Sequence, residues 1–328
     1  MTVIKNHIHL AIDAVGGKVG GIAAGLLGIL EAALNDQRIS KITLFCTPPE
    51  KRLFQIPSDV KLIETPKPWV DRNSALRVLW YEWLLPLECK RIEADVLLVS
   101  DNYGRGGFGI PYVTYVRQSL PFSDEALDLL SMRDQFINRV RKYEIRSSCR
   151  TASRIICQSA VMKDWLTDSF CLDPVKVVMV YSSPKRLSSS SNASLFSEVS
   201  IQSDNSHRLL YVGCDYPYKK LDTAVDGMKS IRRQFPKAEL TLTLPIDHHY
   251  ASVPGVKCVG YLNDDQLALA YKSSDVLVLP SLVESGPQTP FEAMSLGISV
   301  LIADRPYAHD ICENAALFFD PNGPIDFA

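Results

Sequence analysis

A chain of 328 residues, 46% hydrophobic and 22% charged, is long enough to bury a sizeable core, and its length favours two domains over one. The formal net charge of −2, split as +3 over residues 1–181 and −5 over the remainder, leaves no electrostatic footprint for nucleic acid. The eight cysteines are scattered, with no CxxC pair and no clustered His, which argues against a zinc site and a disulfide framework and fits a reducing cytoplasm.

The first residues lack the charged and apolar regions of a signal peptide. A β-rich run at 8–12 leads into Val15-Gly16-Gly17-Lys18-Val19-Gly20-Gly21, and a helical periodicity follows at 22–34. The most apolar stretch, residues 20–30, meets Glu31 and is too short to cross a bilayer. Further β-rich runs lie at 42–46, 96–100, 112–116, 154–157 and 177–180, with a helical segment at 160–169. That alternation implies βαβ units on a mostly parallel sheet. Membrane contact is then expected to be peripheral only. Two surfaces offer themselves: residues 133–154, where seven cations face Asp134 and Glu144, and the Trp80, Tyr81, Trp83 cluster. A charged helix face is more commonly just solvated.

Residues 182–207 are rich in Ser, Asn and Asp, with serines at all four positions 188–191, and read as a linker or long surface loop open to protease. The Asn192-Ala193-Ser194 triplet reads as chance. The β/α rhythm then restarts: strands at 209–212, 240–244, 256–259 and 276–279, and helices at 219–233 and from Asp264. The expected fold is α/β, two doubly wound Rossmann-like domains facing across a cleft. The N-terminal domain takes residues 1–183, the Ser-rich linker 184–207 and the C-terminal domain 208–328.

Three features carry chemistry. Glycines at a strand-to-helix turn let backbone approach an anion at the helix start, here through Gly20 and Gly21, although tight packing alone also explains such a turn. Lys219 and Lys220 follow a strand that ends at Gly213 and stand at a helix entrance, where cations are disfavoured unless they meet a ligand such as a phosphate. Finally, a buried strand at 275–280 runs into a loop holding Glu284, and Thr289-Pro290-Phe291-Glu292 opens a helix that Gly297 closes. Thr289 as N-cap with Glu292 three residues on would form a capping box, which explains Glu292 but not Glu284. Carboxylates at the C-terminal ends of strands in a doubly wound sheet can accept hydrogen bonds from ribose and sugar hydroxyls.

The segment from Glu284 through Gln288 and Thr289 to Glu292 resembles the E-x7-E motif of the retaining glycosyltransferases of family four, which have the GT-B fold. Its Gly-Pro-Gln-Thr version is similar to one found among bacterial polysaccharide and O-antigen transferases. Gly20-Gly21, Leu120-Pro121-Phe122, the segment 152–159, Tyr211-Val212-Gly213 with Lys220, and the segment 315–321 agree in order.

The resemblance implies that Glu292 binds the nucleotide ribose, Glu284 the transferred sugar and Lys220 the diphosphate, helped by the Gly20 and Gly21 amides. It implies a metal-independent hexosyl transfer that retains the anomeric configuration, with no cofactor beyond the nucleotide diphosphate sugar serving as donor. The acceptor is a saccharide or lipid-linked saccharide at the inner face of the membrane. Cys214 stands where the family often has an Arg, so that Lys219 takes over its contact or the contact is absent. Arg117 and Gln118 stand where many relatives carry a catalytic-site His, which places Arg117 with Glu284 among the catalytic residues. Relatives continue beyond the equivalent of Ala328, so the donor domain is expected to lack its last helices. The alternatives are a non-catalytic nucleotide-binding scaffold of the same fold and, more distantly, a nucleotide-sugar epimerase.

Overall fold

The computed structural model describes residues 7–15, 21–48, 56, 58–70, 73–100, 102, 104, 106–182 and 207–323. Gly20 and the serines at 188–191 lie outside these residues. The chain divides into two compact units, one of residues 1–122 and 136–183, the other of residues 123–135 and 184–328.

In the first unit, β1 (Ile8–Ala14) leads to α1 (Gly21–Asn35), β2 (Ile39–Cys46) and β3 (Leu62–Pro66). A continuous helical run follows, formed of α2 (Ser74–Leu79), a π-helical turn at Trp80–Leu84 and α3 (Leu85–Arg91), ahead of β4 (Val96–Val99) and β5 (Tyr112–Tyr115). After α4 (Asp124–Asp128), which groups with the second unit, come α5 (Met132–Thr151), β6 (Arg154–Cys157), α6 (Ala160–Phe170) and β7 (Val177–Met179). The strands form a parallel sheet in the order β3-β2-β1-β4-β5-β6-β7. The chain therefore winds outward both ways from β1 and β4. Side chains such as Ile12, Leu44, Leu97 and Ile155 are fully buried, as strands covered on both faces require.

Trp80, Tyr81 and Trp83 do not form a surface cluster. The π turn rotates Trp80 and Tyr81 inward, where they are 0% and 6% exposed, and leaves Trp83 outside. Trp80 packs edge-on against Phe45 and Trp69, and its indole N–H donates to Asp13 Oδ1 at 2.9 Å.

The second unit runs through β8 (Arg208–Tyr211), a 3-10 turn at Pro217–Lys219, α7 (Leu221–Gln234), β9 (Glu239–Leu242), β10 (Val256–Cys258) and α8 (Asp264–Lys272). It continues with β11 (Val276–Leu279), α9 (Thr289–Ser295), β12 (Ser299–Ala303), α10 (Pro306–Cys312) and β13 (Leu317–Phe319). This sheet is also parallel, in the order β10-β9-β8-β11-β12-β13, and it reverses winding direction between β8 and β11. α4 belongs here because Glu125 accepts hydrogen bonds from Arg305 Nη2 and Asn322 Nδ2, both at 2.8 Å. Among the described residues no helix is long and apolar enough to cross a membrane.

Candidate functional site

Ligands of doubly wound sheets settle outside the carboxyl ends of the strands, where the winding reverses. In the second unit those ends are the loops after β8 and β11, and the structure ties them together: Leu282 N–H donates to Tyr218 O at 2.9 Å, and Lys219 forms an ion pair with Glu284. Each side chain of the pair retains only 15% exposure. Burial works against the Lys219 charge, but Glu284 and the neighbouring Tyr218 phenol outweigh it and leave the ammonium more basic than usual. Burial pushes the Tyr218 phenol up to about 12. Its ring stacks parallel on Tyr216 at 5.8 Å.

The lysine that meets Glu284 is thus Lys219, whereas Lys220 is half-buried and, among the described residues, makes no ion pair. Its backbone sits in the left-handed region, φ 49°, because the 3-10 turn must change direction into α7 at that residue. Lys219 sits beside Cys214 and also faces Glu284, so its charge is already engaged within the protein. Gly213 is dictated by a close approach: a Cβ there would come within 2.8 Å of the Tyr211 hydroxyl, which donates to Cys214 O at 2.8 Å. The Gly213 N–H donates to Thr243 Oγ1 at 3.0 Å.

The capping box expected at Thr289 and Glu292 does not form. Gln288 is the N-cap and makes no side-chain cap bond, Thr289 is the first helical residue, and the frame moves by one position. The Glu292 carboxylate, 5% exposed, turns inward and accepts a 2.8 Å hydrogen bond from the fully buried Tyr271 hydroxyl on α8. Burial and this carboxylate together push the phenol well above its ordinary range. Gly297, φ 72°, closes α9 as expected. The loop that holds Glu284 is braced by another fully buried tyrosine, Tyr307, which donates to Ser281 O at 2.8 Å. Gln288 and Thr289 are half-buried at its far end.

In the first unit, Gly21 begins α1. Arg117, just past β5, is held by Asn102 Oδ1 on its backbone N–H (2.6 Å), by Ser100 O on Nη2 (3.2 Å), and lies over the Tyr115 ring at 5.0 Å. Its Nη1 is 2.9 Å from where a Cβ on Gly25 would stand, so that glycine leaves room for the guanidinium. The sequence reading did not reach Asp13, a fully buried carboxylate at the end of β1; an acid within an apolar strand was the signal.

The histidines are also more clustered than expected. His248 and His249 meet Asp215, with ligand atoms within 4.8 Å of one another, because the loops after β8 and β9 converge. His248 Nδ1 accepts from Tyr250 N–H at 3.4 Å, and its Nε2 lies 3.3 Å from Asp215 Oδ2.

Residues 19–182 match the model of "Glycosyltransferase Family 4", and residues 248–328 match that of "Glycosyl transferases group 1". Among curated proteins the chain is 21% identical, over 197 residues, to the O-antigen chain mannosyltransferase RfbU of Salmonella typhimurium. The match covers 58% of this chain and 53% of that protein, so it spans about half the length of the relative. Among solved structures it is similar to sucrose-phosphate synthase from Thermosynechococcus elongatus, with TM-score 0.69 and 17% identity over 97% of this chain and 87% of the other. It is likewise similar to Anabaena Alr3699/HepE in complex with UDP-glucose, with TM-score 0.66 and 16% identity, again covering 97% and 87%.

Proposed function

Since the chain belongs to glycosyltransferase family 4 and has the GT-B fold of polysaccharide-synthesising transferases, we propose that it moves a hexose, with retention of configuration, from a nucleotide diphosphate sugar to a saccharide or lipid-linked acceptor. The observation that carries this reading is the Lys219–Glu284 pair at the winding reversal of the second sheet. A diphosphate arriving there takes the Lys219 ammonium as its counter-ion, and this frees the Glu284 carboxylate to accept from sugar hydroxyls. Glu292, oriented by Tyr271, accepts from the ribose. As the bond from the anomeric carbon to the diphosphate breaks, the leaving oxygen keeps the electron pair and Lys219 faces the charge that develops. The acceptor hydroxyl attacks from the same face and its proton passes to the departing diphosphate. Arg117, held by Asn102 and Ser100, is a second candidate catalytic residue. Relatives that act on O-antigen chains and bind UDP-glucose support a hexose donor and a saccharide acceptor. A lipid-linked acceptor brings the protein to the inner membrane face as a peripheral partner.

Calorimetric titration with nucleosides, nucleoside diphosphates and nucleotide sugars tests the reading. One nucleoside diphosphate should bind more tightly than its nucleoside, and the excess should vanish in Lys219→Ala. Failure of every nucleotide to bind would remove it.

A further inference from the structure

We propose that Asp215, His248 and His249 form a binding site for a divalent cation of the zinc type at the carboxyl edge of the second unit's sheet. Asp215 lies in the loop after β8, and the two histidines lie in the loop after β9, where His248 caps a 3-10 turn that His249 begins. Their ligand atoms all stand within 4.8 Å of one another. Tetrahedral zinc, with bonds of about 2.0 to 2.2 Å, sets neighbouring ligand atoms about 3.3 to 3.6 Å apart. His248 Nε2 and Asp215 Oδ2 are 3.3 Å apart, already at that spacing, and a side-chain rotation of the exposed His249 completes the set. The contact of His248 Nδ1 with Tyr250 N–H, at 3.4 Å, is long, so little is given up when the ring proton moves to Nδ1 and Nε2 takes the metal.

The surrounding charge favours a cation. Burial pushes the Tyr250 phenol up to about 12, and Asp215, Asp222 and Asp226 add to the shift, which places three carboxylates around that ring. Lys229 offsets Asp226 at 2.6 Å, whereas Asp215 has the site's own His248 as its partner. Donor chemistry selects the ion: two imidazoles and one carboxylate suit zinc and its transition-metal neighbours, while calcium and magnesium call for oxygen ligands. Three protein ligands leave a fourth position to water. A bound ion ties the loop after β8, which runs on to Lys219, to the loop after β9. The site calls on neither donor nor acceptor and stands independently of the transferase reading.

Calorimetric titration of the untagged full chain with zinc, under a reductant that carries no thiol, tests it. One saturable zinc per chain is expected, with a melting temperature that climbs as zinc is raised. His248→Ala, His249→Ala and Asp215→Asn should each weaken binding at least about 10-fold, since even losing a residue that only orients a ligand costs that much. Wild-type affinity is expected in Cys171→Ser with Cys214→Ser, which removes the exposed thiols, and in His309→Ala, whose imidazole pairs with Asp304 outside the site. The three site residues are half-buried or exposed, so unfolding without zinc should match the wild type. Cobalt(II) in place of zinc should give visible ligand-field absorption that the site variants lose. Absence of saturable zinc binding would overturn the proposal and leave a plain histidine–aspartate contact. Loss of binding in the cysteine variant, with the histidine variants unaffected, would overturn it too by moving the metal to the thiols.

Discussion

Truncating Lys219 tests both the fold of the site and its use. Lys219 and Glu284 each keep 15% exposure, so removing the lysine leaves a nearly buried carboxylate without its counter-ion. Breaking a buried pair costs about 3 to 5 kcal/mol, and the residual access of water places Lys219→Ala near the lower limit, about 3 kcal/mol. Pairing Lys219→Met with Glu284→Gln removes both charges and should recover most of that loss. Affinity for nucleoside diphosphate should fall in Lys219→Ala by about 10- to 150-fold, the worth of one charge-assisted contact. Lys220→Ala should stay within about 0.5 kcal/mol of the wild type in stability, as a surface change does, and should bind as tightly. Urea denaturation and calorimetric titration of the four proteins supply the numbers. If Lys220→Ala lost the nucleotide and Lys219→Ala kept it, the assignment of the two lysines would be reversed and the ion pair would have no part in binding.

Gly213→Ala places a methyl 2.8 Å from the Tyr211 hydroxyl and should cost about 1 to 3 kcal/mol, with partial relief from adding Tyr211→Phe; an unchanged urea midpoint would refute the close approach. Lys220→Gly removes a left-handed non-glycine residue at φ 49° and should stabilise the protein by about 0.5 to 1 kcal/mol, so a lower midpoint would contradict it. Burial, with some help from Lys41, holds the His9 imidazole below its ordinary 6.5, so the folded protein takes up that proton less readily than the unfolded chain. The associated stability is full above 6.5 and is lost as pH falls through the lower folded value. His9→Gln should flatten this slope between neutral and mildly acid pH, and a slope that survives the change belongs to another group.

The strands with fully buried β-branched and aliphatic runs were legible in the sequence, because a strand covered on both faces has no polar alternation to disguise it. β3 escaped because it is an edge strand of Leu-Ile-Glu-Thr-Pro with Ile63 and Glu64 exposed. The helical run from Ser74 to Arg91 was hidden by its π turn, which inserts a residue and breaks the 3.6 periodicity, and for the same reason the three aromatics at 80, 81 and 83 were assigned to one surface. The residues around Glu284 and Glu292 were readable as a candidate site from their place after a buried strand. Which lysine meets Glu284 was not, since the partners are 65 positions apart and the choice depends on a single left-handed residue. The capping box used suitable residue types, but local signals could not reveal that Tyr271, 21 positions earlier, holds the Glu292 carboxylate and that the helix starts one residue earlier than expected.

Incubating the full chain with a panel of nucleotide diphosphate hexoses and a membrane extract containing saccharide acceptors, and following nucleoside diphosphate release together with the anomeric configuration of the product by proton NMR, tests the central claim most directly. The account predicts release from one donor, with the product keeping the donor's anomeric configuration, and loss of that release in Glu284→Gln. An inverted product would contradict the retaining mechanism, and no release from any donor would contradict transfer itself.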